Sequence, residues 1–356
     1  LKHLGLEPQP VDAMIGSNPC SHAHVGILGF MCSTALAAVN GPKPSFAPWL
    51  GSTVWERLHF KSPARDGPLD SSELVRYVQC QGAVDSSFGA PFLDLRVARG
   101  ASPPASTWPA SLEAYSMEEL VWIFSSATAF AGVASRHELG LASSQDEEVV
   151  CWHAPLRTWP PEDTAAAWAA ADRRQLPTED CGRVHRTSQG GFVEGYVEEW
   201  LEHDLSGEAY EERWHRLQPA ALGVDGGSIA LARIHEAPFE LLVVTAGRFG
   251  YFRDGRSSAL VAELVELDRR GVGLEKLLLD GSRPIESRRA MVNCEASVGV
   301  LDGWIIEHAV LPWRVGTRLQ LSRSDGWVDL TASSRPSAAL HNAVESLLQQ
   351  VEAVEL

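Results

Sequence analysis

The sequence lacks the short motifs that mark the large enzyme superfamilies. Its 356 residues contain no P-loop, no GxGxxG, no HExxH, no GxSxG elbow and no protein-kinase motif set. Each of these motifs holds phosphates, a metal ion or a nucleophile in a fixed geometry. We therefore expect no catalytic residues, and the sequence favours a non-enzymatic role without deciding the question.

Positive charge is also scarce. The chain has 30 lysines and arginines against 46 aspartates and glutamates, a formal net charge of −16. A protein that binds nucleic acid neutralises phosphates with clustered Lys and Arg. The charge balance therefore excludes nucleic acid as an expected partner and predicts a solvated acidic surface.

The cysteines show no framework spacing. They stand at Cys20, Cys32, Cys80, Cys151, Cys181 and Cys294. This scatter predicts free, mostly buried thiols in a reducing compartment rather than a disulfide scaffold. Cys151, His153, Cys181 and His185 are ligand-type residues, but CxH with CxxxH is not a usual zinc spacing, so no metal site is predicted.

Two apolar stretches interrupt the otherwise mixed first half of the chain. Ala23–Val39 carries no lysine, arginine, aspartate or glutamate, and Leu120–Ser135 is similarly apolar. Seventeen residues reach the lower limit of a membrane-spanning helix, which needs about 17–25 residues. Each stretch is therefore predicted to be a helix that either crosses a membrane or lies buried in a core.

The second half reads as antiparallel β structure. Asp-Gly pairs recur, and both residues tolerate the positive φ of tight hairpin turns. Strand-like segments lie between them, at 192–203, 209–217, 228–235, 239–245, 248–253, 259–267, 274–279, 289–300, 304–311, 318–322 and 327–331. Such a series of hairpins predicts an up-and-down barrel, because closure removes exposed strand edges.

The predicted fold class is α+β. We expect an N-terminal arm with an apolar helix (1–48), a mixed α/β region (49–189), an antiparallel lipocalin-like barrel (190–334) and a C-terminal helix (335–356). The last of these rests on Ser337–Val354, where apolar residues repeat at helical spacing.

Aromatic and basic residues of the second half are candidate ligand contacts. Trp200 and Trp214 would line the mouth of the barrel, with Arg213 and Arg248 placed to meet carboxylates of an apolar ligand. The alternative is structural: the rings fill the barrel interior, as in most small barrels, and the arginines pair with surface acids.

Residues 23–30 (AHVGILGF) resemble the first helix of the light-harvesting and one-helix proteins of plastids. Leu28, Gly29 and Phe30 match the family pattern. The resemblance implies a membrane helix that binds pigment. His22 or His24 would then ligate the magnesium of a chlorophyll or another tetrapyrrole, a role open to imidazole.

Residues 191–219 (GFVEGYVEEWLEHDLSGEAYEERWHRLQP) resemble the lipocalin-like barrels of plastid and cyanobacterial proteins, including the bilin-lyase type. The shared pattern is a strand, a Ser-Gly turn and a strand with Arg-Trp-x-Arg. This second resemblance implies a barrel that accommodates a tetrapyrrole.

Together the resemblances predict a non-enzymatic accessory subunit of a photosynthetic complex at the thylakoid membrane, with other protein subunits as partners and a pigment or lipid as ligand. The chain starts at Leu1 rather than Met, so we expect a trimmed form without its targeting peptide. Two alternatives remain: a soluble lipocalin-like tetrapyrrole-binding protein or chromophore lyase, and a scaffold subunit of another organellar assembly.

Overall fold

The chain folds into a closed β barrel followed by an open β sheet. The computed structural model describes residues 52–61, 72–80, 89–99, 109–136, 147–161, 181–187, 196–205, 210–217, 227–234, 237–322, 325–331 and 338–355. The barrel and the sheet belong to one compact unit. Among these residues the fold is α+β, with short helices around the two sheets.

Eight antiparallel strands form the barrel in sequence order. They are β1 (Thr53–Lys61), β2 (Glu73–Gln79), β3 (Ala90–Ala98), β4 (Ala127–Arg136), β5 (Glu147–Arg157), β6 (Cys181–Arg186), β7 (Tyr196–Asp204) and β8 (Glu211–Leu217). Each strand pairs with the next, and β8 closes on β1. An up-and-down antiparallel barrel agrees with the lipocalin-like resemblance at the level of architecture.

The barrel lies in a different part of the chain from the one predicted. The predicted boundary at residue 190 falls between β6 and β7, inside the barrel, which ends at Leu217. Alternation reveals that a strand has two faces, but it does not reveal which strands close into one sheet. The prediction of a barrel over 190–334 is therefore wrong, although strands β7 and β8 were correctly found.

A six-stranded sheet follows the barrel. Its strands are β9 (Ile229–Arg233), β10 (Phe239–Thr245), β11 (Arg248–Asp254), β12 (Cys294–Val300), β13 (Ile305–Ala309) and β14 (Val328–Asp329). Their spatial order is β13-β12-β11-β10-β9-β14. The residues predicted to complete a barrel thus form an open sheet.

Three helices connect β11 to β12, and the first two lie where strands had been predicted. They are α2 (Ser258–Arg269), α3 (Leu274–Leu279) and α4 (Ile285–Ala290). In α2 the Ser257 side chain caps the first turn by accepting from the Leu260 amide. Val261 and Leu264 are buried three residues apart, which is a helical repeat. The strand predictions for 259–267 and 274–279 are therefore wrong.

The apolar stretch Leu120–Ser135 is not one helix. Helix α1 (Met117–Ser126) ends within it, and β4 begins at Ala127. A capping box of Ser116 and Glu119 starts the helix. In the described residues, no helix has the length and apolarity to cross a membrane. The other stretch, Ala23–Val39, lies outside them.

The sheet packs between the barrel wall and the C-terminal helix. Each face of the sheet belongs to a separate buried cluster. One cluster joins the sheet to the barrel, and the other joins it to α5 (Ala338–Glu355). Helix α5 confirms the helix predicted over Ser337–Val354. At Gly250 the sheet comes so close to the barrel that an added Cβ would lie 3.1 Å from Leu93 Cβ.

Two of the cysteines are joined. Cys151 on β5 and Cys181 on β6 lie directly opposite each other and form a disulfide. Cys80 and Cys294 are buried and free. The prediction of free thiols is therefore wrong for Cys151 and Cys181, because the register of two strands separated by a long connection could not be read from cysteine spacing.

Candidate ligand-binding cavity

Half of the barrel interior is filled by side chains. Trp55 and Trp200 meet edge to face with ring centroids 6.2 Å apart. Smaller buried residues, Ala90, Ala134, Val150 and Val184, belong to the same cluster. This half is a packed core, as the structural alternative for small barrels requires.

The other half holds a cavity of about 320 Å³. It lies at the end of the barrel where β7 ends and β8 begins. Seven aromatic side chains line it: Phe60, Tyr77, Phe92, Phe130, Trp152, Tyr210 and Trp214. The remaining lining residues are Asp94, Arg96, Ala154, Glu202 and Glu212. An apolar enclosure with a few converging polar groups is the usual form of a small-molecule site.

The aromatic part of the cavity is held in a fixed arrangement. Tyr77 stacks on Phe92 with centroids 5.2 Å apart and meets Trp214 edge-on at 6.0 Å. Trp152 donates through Nε1 to the Tyr77 hydroxyl oxygen at 3.1 Å, and that hydroxyl donates to Gln79 Oε1 at 2.7 Å. These contacts orient the rings before any ligand enters.

The polar wall contains arginine–carboxylate pairs. Arg57 donates to Glu212 Oε1 and to Glu73 Oε2, both at 2.5 Å. Arg96 donates to Asp94 Oδ2 from Nη2 at 2.8 Å and lies 3.9 Å from Glu212. The two arginines are therefore already engaged by carboxylates of the protein.

Glu202 occupies the most unusual position in the wall. It is directly opposite Glu212 across β7 and β8, and both side chains point inward. The hydroxyl of Tyr210 donates to Glu202 Oε1 at 3.0 Å. Burial, with the negative charges of Glu212 and Asp94, raises the pKa of Glu202 well above its usual range.

Asp94 is also incompletely satisfied. Its side chain is almost fully buried, and Arg96 occupies Oδ2. Its second oxygen, Oδ1, has no hydrogen-bond partner within the described part of the chain. A buried acceptor of this kind costs free energy unless a ligand or water donates to it.

The predicted site residues are not gathered into one place. Trp214 lines the cavity, whereas Trp200 lies in the filled half of the barrel. Arg213 is on the outer face of β8 and pairs with Glu211, and Arg248 pairs with Glu307 in the open sheet. His22 and His24 lie outside the described residues.

Sequence reasoning missed the acidic wall. Asp94 and Arg96 alternate with Phe92 along β3, so all three share the inward face. Glu202 shares the inward face of β7 with Trp200 in the same way. The sequence did show charged residues on the same strand face as large aromatic residues. It could not show that the inward faces of β3, β7 and β8 meet, because that depends on closure of the barrel.

Comparison with known proteins adds little to this geometry. No family model matches the sequence, and no curated protein matches it. Among solved structures, the chain is similar to YLR301w of Saccharomyces cerevisiae, which is described as uncharacterized, with 13% identity and a TM-score of 0.32. The match covers 57% of this chain and 74% of that one. A TM-score this low does not establish a shared fold.

Proposed function

We propose that this protein binds a small amphipathic molecule inside the barrel. The cavity beside Tyr77, Phe92 and Trp214 is the observation that carries the proposal. Its aromatic surface would bury the apolar part of the ligand, and its charged wall would orient the polar part. The volume, about 320 Å³, favours a compact ligand, because ligand sites range from about 300 to 1,000 Å³.

A propionate-bearing tetrapyrrole suits this cavity less well than the resemblances suggested. Arg213 and Arg248, the residues expected to meet its carboxylates, do not line the cavity. The carboxylates of such a ligand would instead face Asp94, Glu202 and Glu212, and like charges repel in a buried site. Tetrapyrrole binding stays a prediction.

The role in a photosynthetic membrane complex also stays a prediction. It rests on residues 23–30 and 191–219, and the first of these segments lies outside the described residues. A binding barrel is compatible with an accessory subunit, a soluble carrier or a scaffold subunit. Copurification of the natural protein with a thylakoid complex and its pigment is the observation that would support the first of these.

The binding proposal is tested with the neutral fluorescent probe N-phenyl-1-naphthylamine. We expect enhanced probe fluorescence with one site per chain. The Ala154→Phe substitution should abolish it, because Ala154 lines the cavity and the added ring would occupy its volume. Ala259→Phe, at an exposed position of α2, is the control and should bind normally.

Circular dichroism should show that Ala154→Phe remains folded. Unchanged probe binding by a folded Ala154→Phe variant, or absence of saturable binding by the natural chain, would refute the proposed function.

A further inference from the structure

The cavity wall holds more carboxyl groups than its arginines can neutralise. Asp94, Glu202 and Glu212 line the cavity with Arg96, and Arg57 and Glu73 lie directly behind them. The two guanidinium groups pair with Glu73, Asp94 and Glu212. Glu202 receives its hydrogen bond from a neutral hydroxyl rather than from either arginine. If these six described groups ionise, their charges sum to −2.

The strand register makes this excess costly. Glu202 and Glu212 are cross-strand neighbours, and like charges directly opposite each other destabilise a sheet. Both side chains are also buried, which adds a desolvation cost for each charge. An interior position that serves stability alone would carry an apolar residue, as Trp200 does two residues before Glu202 on the same strand.

Two polar groups of the wall remain available to a ligand. Asp94 Oδ1 is buried without a hydrogen-bond partner among the described residues, and Asp94 lines the cavity. Glu202 lines it too, and among the described residues it accepts its hydrogen bond from the Tyr210 hydroxyl. Both groups accept hydrogen bonds when ionised, so a ligand that carries donors and positive charge satisfies both.

We infer that the cavity is selective for cationic organic molecules, with a protonated amine placed between Asp94 and Glu202. The inference rests on the proposed function and names the ligand class of the same site. The ammonium group offsets one of these two negative charges. The organic part packs on Tyr77, Phe92 and Trp214, whose ring faces also attract cations.

The test uses three indoles of similar size that differ in charge. Tryptamine is cationic, 3-methylindole is neutral and indole-3-acetate is anionic. Each is titrated against the natural chain loaded with N-phenyl-1-naphthylamine, and displacement is read from the fluorescence. We expect tryptamine to displace the probe at a concentration at least about tenfold lower than 3-methylindole, and indole-3-acetate to be the weakest.

Two matched variants assign the selectivity to the wall. Glu202→Gln keeps the shape of the side chain and removes its charge, so it should lower the preference for tryptamine over 3-methylindole by about tenfold. Glu211→Gln makes the same change on β8, at a position that pairs with Arg213 outside the cavity, and should leave the preference intact. Asp94→Asn is a second variant, to be used if Glu202→Gln fails to fold.

The outcomes separate the two proposals. Probe binding that 3-methylindole and tryptamine displace equally, or that tryptamine does not displace, overturns the cation inference and leaves the binding function standing. Failure of the probe itself to bind counts against the proposed function. Selectivity that survives in a folded Glu202→Gln variant, or in Asp94→Asn where Glu202→Gln does not fold, would place the cation elsewhere and also overturn the inference.

Discussion

At the scale of single residues, the protein keeps several groups that lower its stability. Glu202 and Glu212 face each other inside the barrel, and Asp94 has an unpartnered oxygen there. An apolar substitution at such a position would remove the unfavourable charge or unpaired oxygen. Groups of this kind are therefore expected where function requires them. Their concentration around one cavity is what separates it from the filled half of the barrel.

The raised pKa of Glu202 predicts a pH-dependent stability. Between the ordinary glutamate pKa of 4.5 and the raised pKa of folded Glu202, the folded state holds a proton that the unfolded chain has released. The stability contribution of this proton is complete below pH 4.5 and is lost as the pH rises through the folded pKa. Burial is the largest cause of the raised pKa; the charges of Glu212 and Asp94 raise it further, whereas the Tyr210 hydroxyl and Arg96 lower it.

Glu202→Gln should therefore gain stability over the natural chain as the pH rises. Urea unfolding at a series of pH values between 4 and 9 measures the difference. We expect no gain at the acidic end and a growing gain above it. Glu211→Gln serves as the control, and a parallel pH dependence in both variants would show that Glu202 is not the source.

A second prediction concerns the loop between β10 and β11. Ala246 and Gly247 form this two-residue loop with φ values of 50° and 75°. Alanine resists positive φ, whereas glycine accepts it. Ala246→Gly should thus raise the free energy of unfolding by about 0.5–1 kcal/mol.

Thermal denaturation checks this prediction, with Ala309→Gly in β13 as the matched control. The same substitution in a strand of ordinary φ should destabilise by about 0.5–1 kcal/mol. Opposite changes in the two variants would exclude a general effect of glycine on stability. A loss of stability in Ala246→Gly would refute the argument from positive φ.

At the scale of elements, irregular pairing shapes the barrel wall. The register between β4 and β5 shifts between Ala131 and Val133, at Gly132. A Cβ at Gly132 would lie 2.0 Å from the backbone oxygen of His153 and 2.7 Å from Pro155 Cδ. Bulges of this type bend a strand, and here the bend lies beside Phe130 and Ala154 of the cavity.

Gly132→Ala should destabilise the protein by at least about 2 kcal/mol, because a backbone oxygen cannot move away without breaking the strand pairing. Chemical denaturation measures the loss. Gly281→Ala is the control, since nothing lies within 4 Å of its added Cβ, and it should change stability by less than about 0.5 kcal/mol. Similar midpoints for both variants would contradict the close approach at Gly132.

Sequence periodicity was informative at this scale when an element had one buried face. Strands β10 and β11 and helix α5 lie within a few residues of their predicted limits. Periodicity failed at α2 and α3, where short apolar repeats fit both a strand and a helix. It also failed at Leu120–Ser135, where uniform apolarity hid the change from helix to strand.

At the scale of the whole molecule, the barrel and the sheet share one core. Leu93 and Val78 on the barrel wall belong to the same buried cluster as Leu241 and Val243 of the sheet. Arg256 adds a polar connection: it pairs with Asp254 at 2.7 Å and donates to the carbonyl oxygens of Arg157 and Thr158 at the end of β5. We therefore expect the two parts to unfold together.

Arg256→Met should lower the stability of both parts by about 3–5 kcal/mol, because it leaves the buried carboxylate of Asp254 without its counter-ion. Calorimetry should show a single transition, with loss of cavity-probe binding at the same temperature. Arg269→Met removes an exposed arginine of α2 and should have little effect. Two separate transitions in the natural chain would contradict a shared core.

The sequence by itself determined that this is an acidic α+β protein, rich in antiparallel strands, with an amphipathic helix at its C-terminal end. These properties follow from composition and from local periodicity, since each element shows its buried face in its own residues. Only the tertiary structure decided which strands close into the barrel and that Cys151 meets Cys181. It also brought Asp94 of β3, Glu202 of β7 and Glu212 of β8 to one cavity. Such contacts depend on strand register and closure between residues far apart in the sequence, and no local pattern records them.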